Sequence, residues 1–383
     1  MHWNIKDTPL KETTAHLIEC LGVDAVVAQL LAQRGITTFE EARAFFRPHI
    51  GQLHDPFLMQ DMDKAVGRLQ QAIDQKEAVM VYGDYDVDGT TSVSLLTHFL
   101  RSQGLDVTPY IPDRYAEGYG LSKKGIDTAK AANISLMIAL DCGVKAIEQV
   151  AYAKTLGIEL IICDHHTPAD VLPDALAVLD PKRGDCTYPF KELCGCGVGF
   201  KLMQGLLQQQ GKEVNEIIAY LDFVAVAIAA DIVPMVGENR ALAFLGLQQL
   251  NTNPRPGLKA LMRDKQTGQI ISDVVFGMTP RINAAGRMKH GLDAVALLLS
   301  ASDEEAKKIA QEVETYNSSR REVEQEITKE ALAQIVVNKE TNNATNVVYA
   351  PHWHKGVIGI VASRLIETCL LYTSDAADDS TRV

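Results

Sequence analysis

Residues 78–89, AVMVYGDYDVDG, constrain this chain more than any other stretch. The apolar run at 78–82 has the length of a buried strand, and Gly83 turns the chain. Asp84, Asp86 and Asp88 follow at alternate positions, before a Gly-Thr-Thr-Ser turn and an apolar helix over about 90–103. Three carboxylates within five residues repel one another unless a positive charge lies among them. A hard divalent cation meets that need, because such ions take oxygen ligands. A solvated acidic turn is the simpler alternative. The acids stand directly after a buried strand, however, at the end where open α/β sheets gather their ligands.

The same arrangement recurs. A second strand is predicted at 107–111, a short helix at 126–132, a strand at 136–140, a helix at 145–156, and strands at 159–163 and 176–179. Strands alternating with helices predict an α/β fold, a parallel β-sheet flanked by helices on both faces. The run at 136–140 passes directly into Asp141-Cys-Gly, and the run at 159–163 passes into Asp164-His165-His166. In a parallel sheet all these strand ends lie on one edge, so the three sets converge in one crevice.

The flanking segments read as helices and connections. Residues 25–34 and 38–46 have apolar spacing of helical period, with Thr38 as a start signal, and 62–76 is amphipathic. Further helices are expected at 198–209, at 215–230 and at 241–250. Pro234 restricts Val233, so Asp231 falls where the second of these ends. Residues 302–336 form a long, charged helix in which Ser302 and Glu305 make a capping box. A polar loop at 338–346 and a strand from 347 to 350 follow. The predicted organisation is an N-terminal helical cap (1–50), a catalytic domain (51–300), a connecting helix (301–336) and the start of a second, incomplete α/β domain (337–368).

Composition narrows the class. The chain has 383 residues, 46% hydrophobic and 22% charged, which is ordinary globular composition. No apolar run has the length to span a bilayer, and the N-terminus lacks a signal-peptide core, so a cytoplasmic protein without membrane contact is expected. Seven cysteines form no paired framework, and Cys194-Gly-Cys196 has no second pair at zinc spacing. They read as reduced, buried thiols. A net charge of −12 argues against a globally basic nucleic-acid coat, but leaves room for local binding, since acids gathered around metals inflate the count.

The candidate constellation is therefore Asp84, Asp86, Asp88, Asp141, His165, His166 and Asp231. Oxygen ligands with one or two imidazoles suit Mn²⁺ or Mg²⁺ better than thiolate-loving ions. The acids exceed what one ion needs. Two divalent cations roughly 3.5–4 Å apart, bridged by a carboxylate, would use them and would act on a phosphoester or phosphoanhydride.

Asp84-Tyr-Asp-Val-Asp88, Asp141-Cys-Gly, Asp164-His-His and Asp231 resemble the four motifs of the DHH phosphoesterase superfamily. The finer likeness is to its single-stranded-DNA-specific 5′→3′ exonucleases. It rests on VYGDYDVDGTTS, PDRYAEGYG at 112–120, CGCGVGFK at 194–201, PRINAAGR at 280–287 and HWHKGVIG at 352–359. The resemblance implies that Asp84, Asp86 and Asp141 hold one ion, and that Asp88, Asp141, His165 and Asp231 hold the other. It implies that His166 faces the scissile phosphate, with Asp164 orienting a histidine. It places the 5′ end of the strand at Arg114, and DNA contacts at Arg281, Asn283, Arg287, His354, Lys355, Gly356, Ser363 and Arg364. Tyr115, Tyr119 and Trp353 are candidates for base stacking. The implied partners are single-stranded DNA, a single-stranded-DNA-binding protein and a helicase, with the enzyme a monomer serving DNA repair and recombination.

The resemblance stops near residue 368. The remaining CLLYTSDAADDSTRV breaks the helical pattern and reads like an adapter sequence translated in frame, so residues 369–383 are expected to be non-native. Two rival functions belong to the same superfamily. One is hydrolysis of short oligonucleotides, cyclic dinucleotides or pyrophosphate, whose enzymes open the first motif with a histidine where this chain has Tyr82. The other is a non-catalytic scaffold, which would have lost metal ligands that this chain keeps.

Overall fold

The computed structural model of the chain describes residues 5–341, 343 and 345–369, so most of the segment expected to be non-native, 370–383, lies outside the described residues. Five apolar runs form one sheet: β1 (Ala78–Gly83), β2 (Asp106–Tyr110), β3 (Leu136–Leu140), β4 (Glu159–Cys163) and β5 (Ala177–Leu179). Every pairing is parallel and the order is β2-β1-β3-β4-β5. The chain thus leaves β1 toward one side and later returns to its other side, which makes the β1/β3 boundary the switch point where such sheets open a crevice.

Alternation within each strand builds two cores. Val79, Val81, Ile138, Leu140, Ile161 and Leu179 face one; Met80, Tyr82, Met137, Ala139, Leu160 and Ile162 face the other. Both faces are covered, which is why the strands read as unbroken apolar runs. The register is level at the carboxyl edge: Gly83, Leu140, Cys163 and Leu179 are direct neighbours. The residues that follow them are Asp84, Asp141, Asp164 and Asp180. Four aspartates therefore leave four adjacent strands side by side.

The helices fall around this frame. α1 (Lys11–Leu21), α2 (Ala25–Ala32) and α3 (Phe39–Phe46) enclose a small core of their own, of Leu17, Ala28, Leu31, Ile36 and Ala42. α4 (Met62–Gln75) and α5 (Val87–Ser102) cover the first face of the sheet, and α6 (Lys123–Ala131) and α7 (Ile147–Thr155) the second. α8 (Gly195–Gln209), α9 (Leu221–Asp231) and α10 (Gly237–Thr252) return to the first face. α11 (Pro256–Leu261), α12 (Ile271–Asp273), a π-turn (Val274–Met278), α13 (Thr279–Met288) and α14 (Gly291–Leu298) extend that core. α15 (Asp303–Val337) then runs for 35 residues. α16 (Lys355–Cys369) packs on its far end through Val357, Val361 and Leu365 against Ile327, Ala331 and Ile335.

Several elements differ from expectation, each for a local reason. α5 starts at Val87 rather than near 90, because the Asp86 side chain caps it by accepting from Gly89 N–H at 3.1 Å. Asp88 is therefore a helical residue. The apolar stretch at 215–230 is not one helix: a 3₁₀ segment (Val214–Tyr220) precedes α9, a distinction an apolar run cannot reveal. No strand forms at 347–350. There the Gln334 amide takes both backbone groups of Tyr349, donating to its carbonyl and accepting from its N–H at 3.1 Å each. With those groups satisfied by a side chain, no neighbouring strand is required. α16 starts at Lys355, so Gly356 and Gly359 lie inside it.

One buried ion pair locks α8 to α10. The Lys201 ammonium lies 2.6 Å from the Glu238 carboxylate, both side chains fully buried. Tyr188 Oη–H donates to the other Glu238 oxygen at 2.6 Å and His54 N–H donates to the paired one at 3.1 Å. Lys201 also donates to His54 O and Gln204 Oε1, each at 2.7 Å. Asn239, next in α10, holds the connection from α9 by donating to Pro234 O at 3.1 Å. The pair thereby fixes the loop that follows Asp231. Among the described residues no single helix is long and apolar enough to cross a membrane; only the pair α1 and α2, bent by 119°, reaches that length and composition together.

Lys201→Met should lower unfolding free energy by about 3–5 kcal/mol, because it strands a buried carboxylate. Lys201→Met with Glu238→Leu should recover most of that loss. Urea denaturation of the three chains measures it.

Candidate metal centre

The predicted donors meet at the carboxyl edge of the sheet. β1 delivers Asp84, which is buried, and Asp86 caps α5. Asp88, in the first turn of α5, turns its two oxygens to the start of α8, accepting from Gly195 N–H at 2.6 Å and Cys196 N–H at 2.8 Å. An anion at the positive end of a 15-residue helix is well placed. Glycine is required at 195: a Cβ there would stand 2.6 Å from that of Asp141. Asp141 leaves β3 in the left-handed region, φ 59°, while its N–H still donates to Cys163 O at 2.9 Å. Aspartate tolerates that conformation better than most residues.

His165 is the centre of the cluster. Its Nε2 lies 3.1 Å from Asp141, 3.6 Å from Asp231 and 3.7 Å from Asp88. Asp231 is the last residue of α9, and Ile232 after it turns left-handed at φ 57°. The donor atoms fall into overlapping sets, each within 4.8 Å: Asp84, Asp86 and Asp141; Asp88, His165 and Asp231; and Asp141, His165 and His166. Asp141 belongs to the first and third. Asp164 points elsewhere: it accepts from Val144 N–H at 2.9 Å, from His165 N–H at 2.7 Å, and from His166 through Nδ1 at 2.7 Å. The other ring nitrogen of His166 is 3.3 Å from Tyr119 Oη. These side chains border an open cleft of about 430 Å³.

The electrostatics fit a missing positive charge. Burial, then Asp231 and Asp86, push the Asp88 carboxyl up to about 8. Burial and the charges of Asp88, Asp86 and Asp84 push Asp141 well above the carboxylate range. Burial and the neighbouring His166 bring His165 down to about 4, so its ring is neutral. A neutral ring donates one proton at most, yet three carboxylates face Nε2. Burial opposes charge on His166 too, but the Asp164 bond overcomes it and raises the ring above its ordinary value. Against its own burial, Asp164 is held down to about 2 by His166 and Val144 N–H. Oxygen-rich, partly imidazole donors that resist ionising together suit hard divalent ions.

The candidate nucleic-acid residues divide into two groups. The Arg114 guanidinium lies 3.9 Å over the Tyr85 ring, inside the acidic turn, with its Nε buried and without a hydrogen-bond partner. Tyr115 Oη–H donates to Arg287 O at 2.7 Å and reaches His354 Nδ1 at 3.5 Å, while Arg287 Nη1 donates to Gly356 O at 2.9 Å. The loop after β2, the end of α13 and the start of α16, where Lys355 is exposed, therefore meet around Tyr115. The small residues at 284–286 allow close approach, since a Cβ on Gly286 would stand 2.5 Å from Tyr85 O. Arg281, by contrast, is engaged by Glu314 at 2.5 Å, and Arg364 pairs with Glu324 on α15. Ser363 donates to Gly359 O at 3.2 Å, Trp353 Nε1–H to Glu330 at 2.7 Å, and Asn283 is half-buried on α13.

Sequence reasoning passed over two features. Asp180 is the fourth aspartate of the level row; it is fully buried, accepts from Lys182 N–H at 2.7 Å and is pushed up to about 7 by burial. Its signal was present, as β5 also ends directly on an aspartate. The N–H pair of Gly195 and Cys196 is a tertiary contact across 107 and 108 residues, which no local pattern announces.

Without metal, stability should fall as pH rises from about 6.5 to 8. In that window folded Asp88 and His166 bind more protons than the unfolded chain does, and His165 no longer titrates. Excess Mn²⁺ should abolish the fall. Asp141→Asn should raise the melting temperature in chelator by about 2 °C or more, while removing most of the gain from Mn²⁺. Calorimetry at the two pH values, with and without ion, checks both.

Residues 78–228 match the DHH family, N-terminal domain. The chain is 40% identical over 370 residues to the single-stranded-DNA-specific exonuclease RecJ of Bacillus subtilis, covering 96% of this chain and 46% of that protein. It is 38% identical to RecJ of Salmonella typhimurium, covering 89% and 62%. The chain thus spans about half to two thirds of the length of these relatives. Among solved structures, RecJ from Thermus thermophilus with Mn²⁺ superposes with a TM-score of 0.82 at 29% identity, covering 95% of this chain and 52% of that one. An exonuclease RecJ bound to manganese gives 0.74 at 33%, covering 82% and 79%. A parallel sheet with aspartates level on its carboxyl edge, matched at this identity over most of its length, belongs to the DHH family, in its RecJ branch.

Proposed function

We propose that this chain is a divalent-metal-dependent exonuclease that degrades single-stranded DNA from its 5′ end to mononucleotides. The observation that supports this most is the set of overlapping donor groups joined by Asp141 and His165 at the switch point of the sheet. Asp84, Asp86 and Asp141 would hold one ion, and Asp88, Asp141, His165 and Asp231 the other. Mn²⁺ or Mg²⁺ bound there would polarise the phosphodiester and ease deprotonation of an attacking water.

The remaining work falls to the chain's own side chains. Asp164 holds His166 by Nδ1 and keeps it protonated more readily than a free imidazole. His166 would then present positive charge to the phosphate as negative charge builds on it. Arg114, braced on Tyr85, would take the phosphate at the 5′ end. Further along the strand, His354, Lys355 and Gly356 at the start of α16 would seat another phosphate on helix N–H groups, beside Arg287 at the end of α13. Arg281 and Arg364 would reach DNA only by leaving Glu314 and Glu324, and Asn283 and Ser363 would line the same path. In this reading residues 51–300 form the catalytic unit, α1–α3 a cap, and 337–368 the beginning of a DNA-holding lobe. The enzyme would act as a monomer in the cytoplasm, during repair and recombination, on strands supplied by a helicase and a single-stranded-DNA-binding protein.

End-labelled single- and double-stranded DNA, incubated with Mn²⁺, should release mononucleotides from the 5′ end of the single strand only. Asp141→Ala should abolish release, and His166→Ala should lower kcat by about 10²-fold or more. Release undiminished in excess chelator, or in Asp141→Ala, would refute the reading. Faster attack on a dinucleotide than on a long strand would move the substrate to short oligonucleotides.

A further inference from the structure

One charged group in the cleft is used neither by the donor sets nor by the Asp164–His166 pair. Lys145 is the only lysine or arginine among the residues that line the cleft, where Asp86, Asp141, Asp164, Asp231 and His166 carry the other charges. It is exposed, and among the described residues no carboxylate lies within ion-pair range of its ammonium. That is unexpected for a flexible cation beside four acids. The acids are turned toward one another, toward His165 and His166, or toward backbone N–H groups, and leave Lys145 uncommitted.

The backbone of Lys145 is firmly placed even though its head is not. Ala146 N–H donates to Gly143 O and Ile147 N–H to Lys145 O, each at 3.0 Å, which closes the turn. Val144 N–H donates to Asp164 at 2.9 Å, and Asp164 also holds His166 at 2.7 Å. One buried carboxylate therefore anchors both the turn that carries Lys145 and the imidazole beside it. An ammonium on a four-carbon stem is a point charge with three donors and no demand on orientation. Were divalent ions to offset the carboxylates, it would leave this wall of the cleft positive. The complementary group is an anionic oxygen of a phosphodiester.

We propose that Lys145 binds a backbone phosphate of the strand lying in the cleft, as a sequence-independent contact that sets affinity rather than chemistry. The proposal rests on the nuclease reading above. Such a contact releases one counterion's worth of salt dependence, about 0.7 in the slope of log affinity against log salt for a single strand.

The test uses the full chain and a dye-labelled oligothymidylate, with anisotropy measured in Ca²⁺ over a salt series and steady-state hydrolysis measured in Mn²⁺. Lys145→Ala should weaken binding about tenfold at low salt and reduce the slope by about 0.7. Its kcat at saturating strand should stay within about twofold, and Lys145→Arg should restore both affinity and slope. Unchanged affinity and slope in Lys145→Ala would overturn the proposal. So would a loss of kcat with affinity intact. Failure of the parent chain to hydrolyse DNA would overturn the nuclease reading alone, since the anisotropy comparison still decides the role of Lys145.

Discussion

Level strand ends govern this molecule. Because β1, β3, β4 and β5 pair in register, four aspartates emerge side by side where each strand stops. Neighbouring parallel strands are about 4.8 Å apart, a spacing at which buried like charges interact by several kcal/mol. The fold tolerates the row by giving each acid a different environment. Asp164 receives backbone N–H groups and His166, and stays ionised. Asp88, reaching in from α5, receives the start of α8. Asp141 receives little beyond His165 and its neighbours' repulsion. The charge left uncompensated is concentrated where a divalent ion would neutralise it.

The surrounding helices exist in this arrangement to hold that imbalance still. α8 supplies N–H donors at one end and the buried Lys201 two turns later. Glu238, its partner, opens α10 and so fixes the turn that presents Asp231. A metal site of this kind needs its donors placed by rigid elements, and here each donor is on a strand end or within a turn of a helix end. The nucleic-acid candidates are organised more loosely. Tyr115 gathers Arg287, His354 and Gly356 around one phenol, whereas Arg281 and Arg364 are tied to acids of α15.

Much of the sheet was legible because its signal is local. Five-residue apolar runs followed by acids predict strands, their parallel sense and the edge on which the acids gather. The candidate donors Asp84, Asp86, Asp88, Asp141 and His165 were visible for that reason, and Asp231 because Pro234 marks a helix end beside it. What escaped was set mostly by side-chain hydrogen bonds, which an apolar pattern does not record. Asp86 caps a helix, which moved the start of α5 and made Asp88 helical. Gln334 satisfies Tyr349, which removed a predicted strand. Asp180 lacked a histidine or glycine beside it to draw notice, although it completes the row.

The sequence by itself determined the alternating strands and helices, the inventory of hard donors and their delivery to one edge, because hydrophobic period and strand-end position are properties of neighbouring residues. Only the tertiary structure decided how those donors share the work. Strand register and the approach of α8 to Asp88 are contacts between residues far apart in the chain. They bring Asp141 between two donor sets and, among the described residues, leave Lys145 without an ion-pair partner in the cleft. The acidic turn at 84–88 is a local fact, and the centre it belongs to is a product of packing.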